Sequence, residues 1–389
     1  MTGESRPLRV LVVDDEPDIE ALIRQRFRRR NGGFEFAFAR NGKEALELLS
    51  ADPALEVVVT DINMPVMDGL ELLGRLDSLG GRMVKAVILS AYGDLRNIRA
   101  AMNEGAFDFL MKPIDFQDFE TTLLRTGEAL EAARRGVEAR DQLAALEQEL
   151  EIAARIQVSM LPREFLPGWA DFGIYGEMTP ARQVGGDFFD FFMIGEDRLG
   201  FLIGDVSGKG VPAALFMAVS RTLLRATALQ GVDPGECLRY ANQTLRGQDN
   251  EGVFVTVFYG ILDVRNGQLE YAIGGHNPPY LVSPRGPLKI IDEPGGVVIG
   301  LLPEGHYETG RLQMAAGDCI FLFTDGVTEA MDPEERFFGE RRLKQALAAN
   351  VGAAPRRMVQ AMLAAVTEFT ADAPQSDDIT TLAVQWTPR

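Results

Sequence analysis

From Leu8 to about Leu124, short apolar runs alternate with amphipathic stretches: LRVLVV, FEFAFA, LEVVVT, KAVILS and FDFLM are each followed by residues at helical spacing. Five such strand-then-helix units predict a parallel sheet covered on both faces, because each crossover lays its helix back over the sheet. Ligands of such sheets gather at the carboxyl ends of the strands. The stretch from Phe116 to Leu161 is rich in Ala, Glu, Leu and Arg and meets no proline until Pro162, which predicts one long or once-broken helix. If continuous, it would run on the order of 65 Å at about 1.5 Å per residue. Leu143, Leu150 and Gln157 lie seven apart, as do Leu146, Ala153 and Met160, giving a heptad seam that favours a parallel dimer over a helix packed on its own domain. Leu123, Leu130 and Val137 form an earlier series out of phase with it, and Gly136, near the shift, is the expected weak point.

After Pro162 the pattern changes to many short β-rich runs, among them FDFFMI, LGFLIGDV, VFVTVFYGILDV, LEYAIGG, CIFLFTD and a closing TTLAVQW. Helical stretches at 211–230, 233–246, 338–349 and 355–370 interrupt them. This texture predicts an α+β or sandwich domain, not a second parallel sheet. The expected division is therefore 7–124, a helical linker at 125–161, and 162–389.

Composition narrows the setting. The chain has 389 residues, 46% of them hydrophobic, enough for two separate cores. It contains no run of about 18 apolar residues, and its start, MTGESRPLRV, lacks the features of a secretory signal, so a soluble, cytoplasmic setting is expected. Cys237 and Cys319 stand in apolar segments with no second cysteine at metal-ligand spacing, and are expected to be buried thiols. A formal net charge of -18 works against nucleic acid and anionic membranes as partners, since both require a basic surface. An acidic protein that handles phosphate must offset its own repulsion locally, and divalent cations held by carboxylates are the usual means.

Two sets of carboxylates answer that requirement. Asp14 and Asp15 follow LRVLVV and Asp61 ends LEVVVT, so these three should converge at one sheet edge. Such a cluster repels itself unless a hard cation such as Mg²⁺ sits among it. Asp61 can then act as a nucleophile, since a carboxylate attacking a phosphoryl group gives an acyl phosphate whose developing charge needs a cation and hydroxyl donors. Ser90, ending KAVILS, and Lys112, ending FDFLM, supply these from neighbouring strands. The ordered motifs VVDDE, TDINMPVMDG, ILSA and MKP resemble the bacterial response-regulator receiver family. The resemblance implies a doubly wound, flavodoxin-like α/β fold with strand order 2-1-3-4-5. It also implies Asp61 as phospho-acceptor, Asp14, Asp15, Asp61 and the Asn63 carbonyl as Mg²⁺ ligands, Ser90 as switch hydroxyl, Lys112 on the phosphoryl group, Phe109 as the switching aromatic, and a sensor histidine kinase as partner.

The second set lies in VGGDFFDF, GDVSGKGVPAAL, FTDGVTEA and QSDDITTL, each with an aspartate where an apolar strand meets a glycine or polar turn. Only His276 and His306 could offer imidazole, and no Ser-His-Asp set or reactive cysteine accompanies the aspartates. Carboxylate and water ligands favour Mg²⁺ or Mn²⁺, and two such ions can activate a water for attack on a phosphate ester. With IAARIQVSMLP before them and GGHNPP between, these motifs resemble the PPM-type, protein phosphatase 2C-like superfamily, and within it the bacterial branch that regulates sigma factors. The resemblance implies an α+β phosphatase β-sandwich with flanking helices. It assigns two Mn²⁺ or Mg²⁺ to Asp187, Asp205, the Val206 carbonyl, Asp325 and Asp377, with Asp378 as the alternative for the last.

Arg182 is a candidate for holding the substrate phosphate, because a guanidinium matches phosphate oxygens bidentately. Glu329 is either a ligand to a third ion or a surface carboxylate; His276 is either a general acid or a support for its turn; Lys209 belongs to the GKG turn. The implied activity is a metal-dependent serine/threonine protein phosphatase acting on a phosphorylated STAS-type anti-sigma-factor antagonist under control of Asp61, through a dimeric linker. The rival is a non-catalytic adaptor, which should show broken metal motifs; here every expected aspartate is present.

Overall fold

A computed structural model of the chain describes residues 6–28, 33–76, 82–91, 94–162, 171–246 and 252–388. The chain divides into two compact units, Met1–Ala145 and Leu146–Arg389.

The first unit alternates β1 (Leu8–Val13), α1 (Pro17–Phe27), β2 (Phe34–Ala39), α2 (Gly42–Ala51), β3 (Val57–Asp61), α3 (Gly69–Leu76), β4 (Lys85–Ala91), α4 (Leu95–Asn103) and β5 (Asp108–Lys112) before the long α5 (Phe116–Met160). All five strands run parallel in the order β2-β1-β3-β4-β5, as the alternating pattern and its resemblance predict. Because β1, β3 and β4 are covered on both faces, their residues read as continuous apolar runs, and two cores form. Leu11, Val58 and Ile88 pack on one side of the sheet; Val10, Val12, Val59 and Leu89 pack on the other, against Phe119 and Leu123 of α5. Helix starts are fixed by side chains: Asn41 accepts from the Glu44 N–H at 3.0 Å, and Asp115 accepts from the Gln117 N–H at 2.7 Å.

Helix α5 is continuous through Gly136, the first of the two alternatives that its sequence leaves open. With no proline in the helix, each of its two glycines, Gly127 and Gly136, costs roughly 1 kcal/mol, too little to open it. Its first turns bury Phe119, Leu123 and Leu130, and Arg134 closes this docking with an ion pair to the buried Glu56 at 2.8 Å. From residue 135 to 149 every residue is exposed, Leu143 and Leu146 included, and the boundary between the two units falls within this stretch. Among the described residues no helix is long and apolar enough to cross a membrane.

The second unit holds β6 (Phe172–Thr179), β7 (Phe188–Ile194), β8 (Arg198–Val206), α6 (Val211–Ala228), α7 (Pro234–Arg246), β9 (Val255–Asp263), β10 (Gln268–Gly274), β11 (Tyr280–Val282), β12 (Lys289–Ile290), β13 (Gly310–Gln313), β14 (Cys319–Phe323), α8 (Asp325–Thr328), α9 (Gly339–Ala349), α10 (Pro355–Thr370) and β15 (Ile379–Trp386). Two five-stranded antiparallel sheets form, ordered β13-β10-β9-β8-β7 and β12-β11-β14-β15-β6. Their facing sides share one core, with Phe188, Phe201 and Phe258 of the first sheet and Ile320, Leu382 and Val384 of the second. Helices α6 and α7 cover the outside of the first sheet, and α9 and α10 cover the second, so the expected sandwich carries a helical layer on each side. Cys237 and Cys319 are free and buried, and burial pushes both thiols up to about 12.

One charged group sits inside this apolar frame. Asp190 of β7 is fully buried and pairs with Arg221 and Arg225 of α6, each at 2.8 Å, while Arg225 also lies over the Phe192 ring. Removing one member of such a buried set costs about 3–5 kcal/mol, because its partners keep an uncompensated charge. It ties α6, which directly follows the glycine turn after β8, to the strand that follows Asp187.

Candidate active sites

In the first unit the carboxyl ends of β1, β3 and β5 bring together Asp14, Asp15, Asp61 and Lys112, as strand-end placement predicts. Ligand oxygens of Asp14, Asp15 and Asp61 lie within 4.8 Å of one another, a spacing that suits one hard cation. The Lys112 ammonium spans the cluster, 2.6 Å from Asp61, 2.9 Å from Asp14 and 3.0 Å from Glu16. Burial works against that ammonium, but the bonds to Asp61, Asp14 and Glu16 outweigh it and hold its pKa above the ordinary lysine value. Burial also raises the Asp14 carboxyl, against the pull of Lys112. Ser90 is buried one strand away at the end of β4, Asn63 is exposed just past Asp61, and Phe109 is exposed on β5. Glu16 is the member that sequence reasoning missed; its only signal is its place directly after the Asp14–Asp15 pair.

In the second unit the carboxylates meet at one end of the sandwich. Asp187 precedes β7, Asp205 is near the end of β8, Asp325 opens α8 after β14, and Asp377 and Asp378 precede β15. The sheets are stitched there by Thr324, whose hydroxyl donates to Asp187 at 2.7 Å and accepts from the Thr380 N–H at 3.0 Å. Burial raises Asp187 well above the usual carboxylate range, and the neighbouring Asp205 raises it further. Asp205 is pushed up to about 7 by burial and then by Asp325, despite a hydrogen bond with Asp187. Asp325 is raised by burial and by Asp377. Without a cation, burial and mutual repulsion favour the protonated form of the Asp187 and Asp205 carboxyls. Oxygen donors from the buried Asp187 and the half-buried Asp205, Asp325 and Asp377 suit divalent cations, whose charge would offset that repulsion.

Asp377 and Asp378, which the sequence leaves as alternatives, have different surroundings. Asp378 accepts from the backbone N–H groups of Ala181 at 2.8 Å and Gly186 at 2.7 Å. Two glycines make this possible: a Cβ on Gly185 would collide with the Asp378 carboxylate, and one on Gly186 with the Val206 carbonyl. Asp377 instead faces Lys209, whose ammonium lies 2.9 Å from its carboxylate and 2.7 Å from the Ser376 carbonyl. Lys209 thus does more than shape its turn: it ties the glycine turn to the last acidic loop.

The remaining candidates separate. Arg182 is exposed on the loop before Asp187, and Glu329 is exposed but raised by burial, Asp325 and Asp377. His276 is buried, its Nδ1 is 2.8 Å from the Thr256 hydroxyl, and burial lowers it to about 4. It stays neutral and braces the turn after β10, while His306 lies exposed beside Glu308. Sequence reasoning also missed Gln157 of α5. Its buried amide donates to the Gly185 carbonyl at 2.6 Å and accepts from the Gly185 N–H at 3.1 Å, gripping the loop that carries Asp187. Its heptad position reads as part of a seam, which hides this role.

Comparison with known proteins places both units. Residues 10–124 match the response regulator receiver domain, and residues 195–387 match Stage II sporulation protein E (SpoIIE). Protein IcfG of Synechocystis sp. is 33% identical over 232 residues, covering 53% of this chain and 36% of that protein. Phosphoserine phosphatase RsbU of Bacillus subtilis is 30% identical over 184 residues, covering 47% of this chain and 54% of that protein. The chain thus spans about a third to a half of the length of these curated relatives. The SiaA-PP2C domain of Pseudomonas aeruginosa shares the fold, with a TM-score of 0.57, 24% identity, and coverage of 63% of this chain and 98% of that one. The chain therefore belongs to the response regulators, joining a receiver domain at 10–124 to a SpoIIE-type phosphatase domain of the PP2C fold at 195–387.

Proposed function

We propose that this chain is a metal-dependent serine/threonine protein phosphatase of the PPM type, regulated by phosphorylation of its own receiver. The reading is carried by the convergence of Asp187, Asp205, Asp325 and Asp377 at one sandwich end, with three of the four carboxyls raised by burial and mutual repulsion. Two Mn²⁺ or Mg²⁺ bound there would supply a polarised water and a clamp on the phosphate ester. The chain's own residues do the rest. Thr324 fixes the Asp187 carboxylate, Asp378 fixes the loop that carries it, and Lys209 balances Asp377 at the rim. Arg182, on that same loop, holds a phosphate oxygen of the substrate. In the receiver, Asp14, Asp15, Asp61 and the Asn63 carbonyl hold one Mg²⁺, Asp61 accepts the phosphoryl group from a sensor histidine kinase, and Lys112 and Ser90 contact it.

The substrate class is a phosphoserine or phosphothreonine protein of the STAS anti-sigma-factor-antagonist type. Relationship to phosphoserine phosphatases RsbU and RsbP of Bacillus subtilis supports this. Signal passes along α5. Its exposed Leu143 and Leu146 pair with a second copy in a cytoplasmic homodimer, and a turn or shift of the helix reaches the metal loop through Gln157 and Gly185. Purified full-length protein with Mn²⁺ should release phosphate from a phosphoserine STAS protein and stop on adding a chelator. Release that persists in the chelator would overturn the reading.

A further inference from the structure

Beside the acidic centre, and outside it, lies a cavity of about 370 Å³ between the end of β6, the last turns of α10 and the loop that leads into Asp377. Its size is at the small end of ligand pockets, which start at about 300 Å³. Leu363, Val366 and Met331 give the cavity apolar lining, Glu177 adds a carboxylate, and Asp377 is shared with the acidic centre. Three features give it one electrostatic character. First, no lysine or arginine is among its lining residues. Second, the Glu177 carboxylate accepts from the Tyr175 hydroxyl at 3.0 Å and has no ion pair among the described residues. Third, the C-terminal turn of α10, the negative end of that helix's dipole, has no basic residue.

We infer that this cavity is a specificity subsite for a lysine or arginine side chain close to the phosphorylated residue of the substrate, recognised by Glu177. The apolar lining takes the aliphatic stem, as long basic side chains commonly lie along apolar surface, and Glu177 with the helix end takes the charged head. The phosphoryl group sits on the other side of Asp377, so the basic residue and the phosphoserine belong to one short segment. A phosphopeptide offers two negative charges to an acidic protein, and a cation beside them moderates that repulsion.

The inference rests on the phosphatase reading, and its test separates the two. Alanine-based phosphoserine peptides, each with a single lysine at one of the three positions before or after the phosphoserine, are assayed with the full-length protein and Mn²⁺. Their non-hydrolysable phosphonate counterparts are measured by fluorescence anisotropy, which needs no turnover. Lysine at one position should tighten binding and lower KM by about tenfold relative to alanine, the worth of one charged hydrogen bond, with kcat little changed. Glutamate there should weaken both. Glu177→Gln, which keeps the Tyr175 bond, should remove the preference while hydrolysis of para-nitrophenyl phosphate is unchanged. Thr370→Lys, which puts a cation into the cavity at a helix end that tolerates it, should remove it too. Equal binding of lysine and alanine peptides at every position, or a preference that survives Glu177→Gln, overturns the subsite. A lysine preference in binding without any hydrolysis leaves the subsite standing and removes the phosphatase reading.

Discussion

The two units each collect aspartates at the end of a sheet but neutralise them differently. In the receiver, Lys112 reaches Asp14, Glu16 and Asp61 at once, and the cluster is compact enough for one cation. In the phosphatase domain, Lys209 pairs with Asp377 at the rim, and burial and mutual repulsion raise the Asp187 and Asp205 carboxyls. A lysine within its cluster offsets part of the carboxylate repulsion before any cation binds. A cluster without an internal lysine repels itself until other cations offset its charge.

This contrast can be broken at several points. The largest effect belongs to Asp205→Ala, which should lower phosphatase kcat by at least ~10²–10³-fold in a phosphate-release assay, in keeping with loss of a group that organises transition-state charge. Labelling by acetyl phosphate should be intact in that variant. Conversely, Asp61→Ala should abolish labelling, and Mn²⁺-dependent turnover of para-nitrophenyl phosphate should survive; labelling that remains would place the acceptor elsewhere. Asp378→Ala should be milder, reducing Mn²⁺ affinity or activity by ~10–100-fold, as expected when a partner that only orients the ligand loop is removed. If Asp378→Ala were as severe as Asp205→Ala, Asp378 rather than Asp377 would be the ligand.

The smallest effect concerns pH. Asp205 has a folded pKa raised from 3.8 to about 7, so its contribution to stability is fully present below the unfolded value and is lost as pH rises through about 7. Cation-free protein should melt a few degrees lower at pH 8 than at pH 6, and Mn²⁺ should reverse most of that loss. A melting temperature that rises over this interval without cation would contradict the raised Asp205 carboxyl.

Much of this was legible in the sequence. The β-then-α alternation and the strand-end motifs specify the receiver sheet and bring Asp14, Asp61 and Lys112 together, because a parallel strand's carboxyl end is a fixed place. The sandwich and its aspartates follow from strand-turn junctions in the same way. Three features were not legible. Gln157 sits at a heptad position, so its hydrogen bonds to Gly185 look like a seam residue until the loop is placed. Asp377 and Asp378 are adjacent, and only the N–H groups of Ala181 and Gly186, almost two hundred residues earlier, tell them apart. The pairing of Lys209 with Asp377 joins distant loops, which no local pattern encodes.

In the proposed mechanism the state of Asp61 sets the state of the phosphatase centre through α5. It is tested most directly by steady-state dephosphorylation of a phosphoserine STAS protein, with and without beryllofluoride on the receiver, in the wild type and in Gln157→Ala. The account predicts a several-fold difference in kcat/KM between the two receiver states, reduced toward unity by Gln157→Ala. Equal activity in both states of the wild type would contradict it.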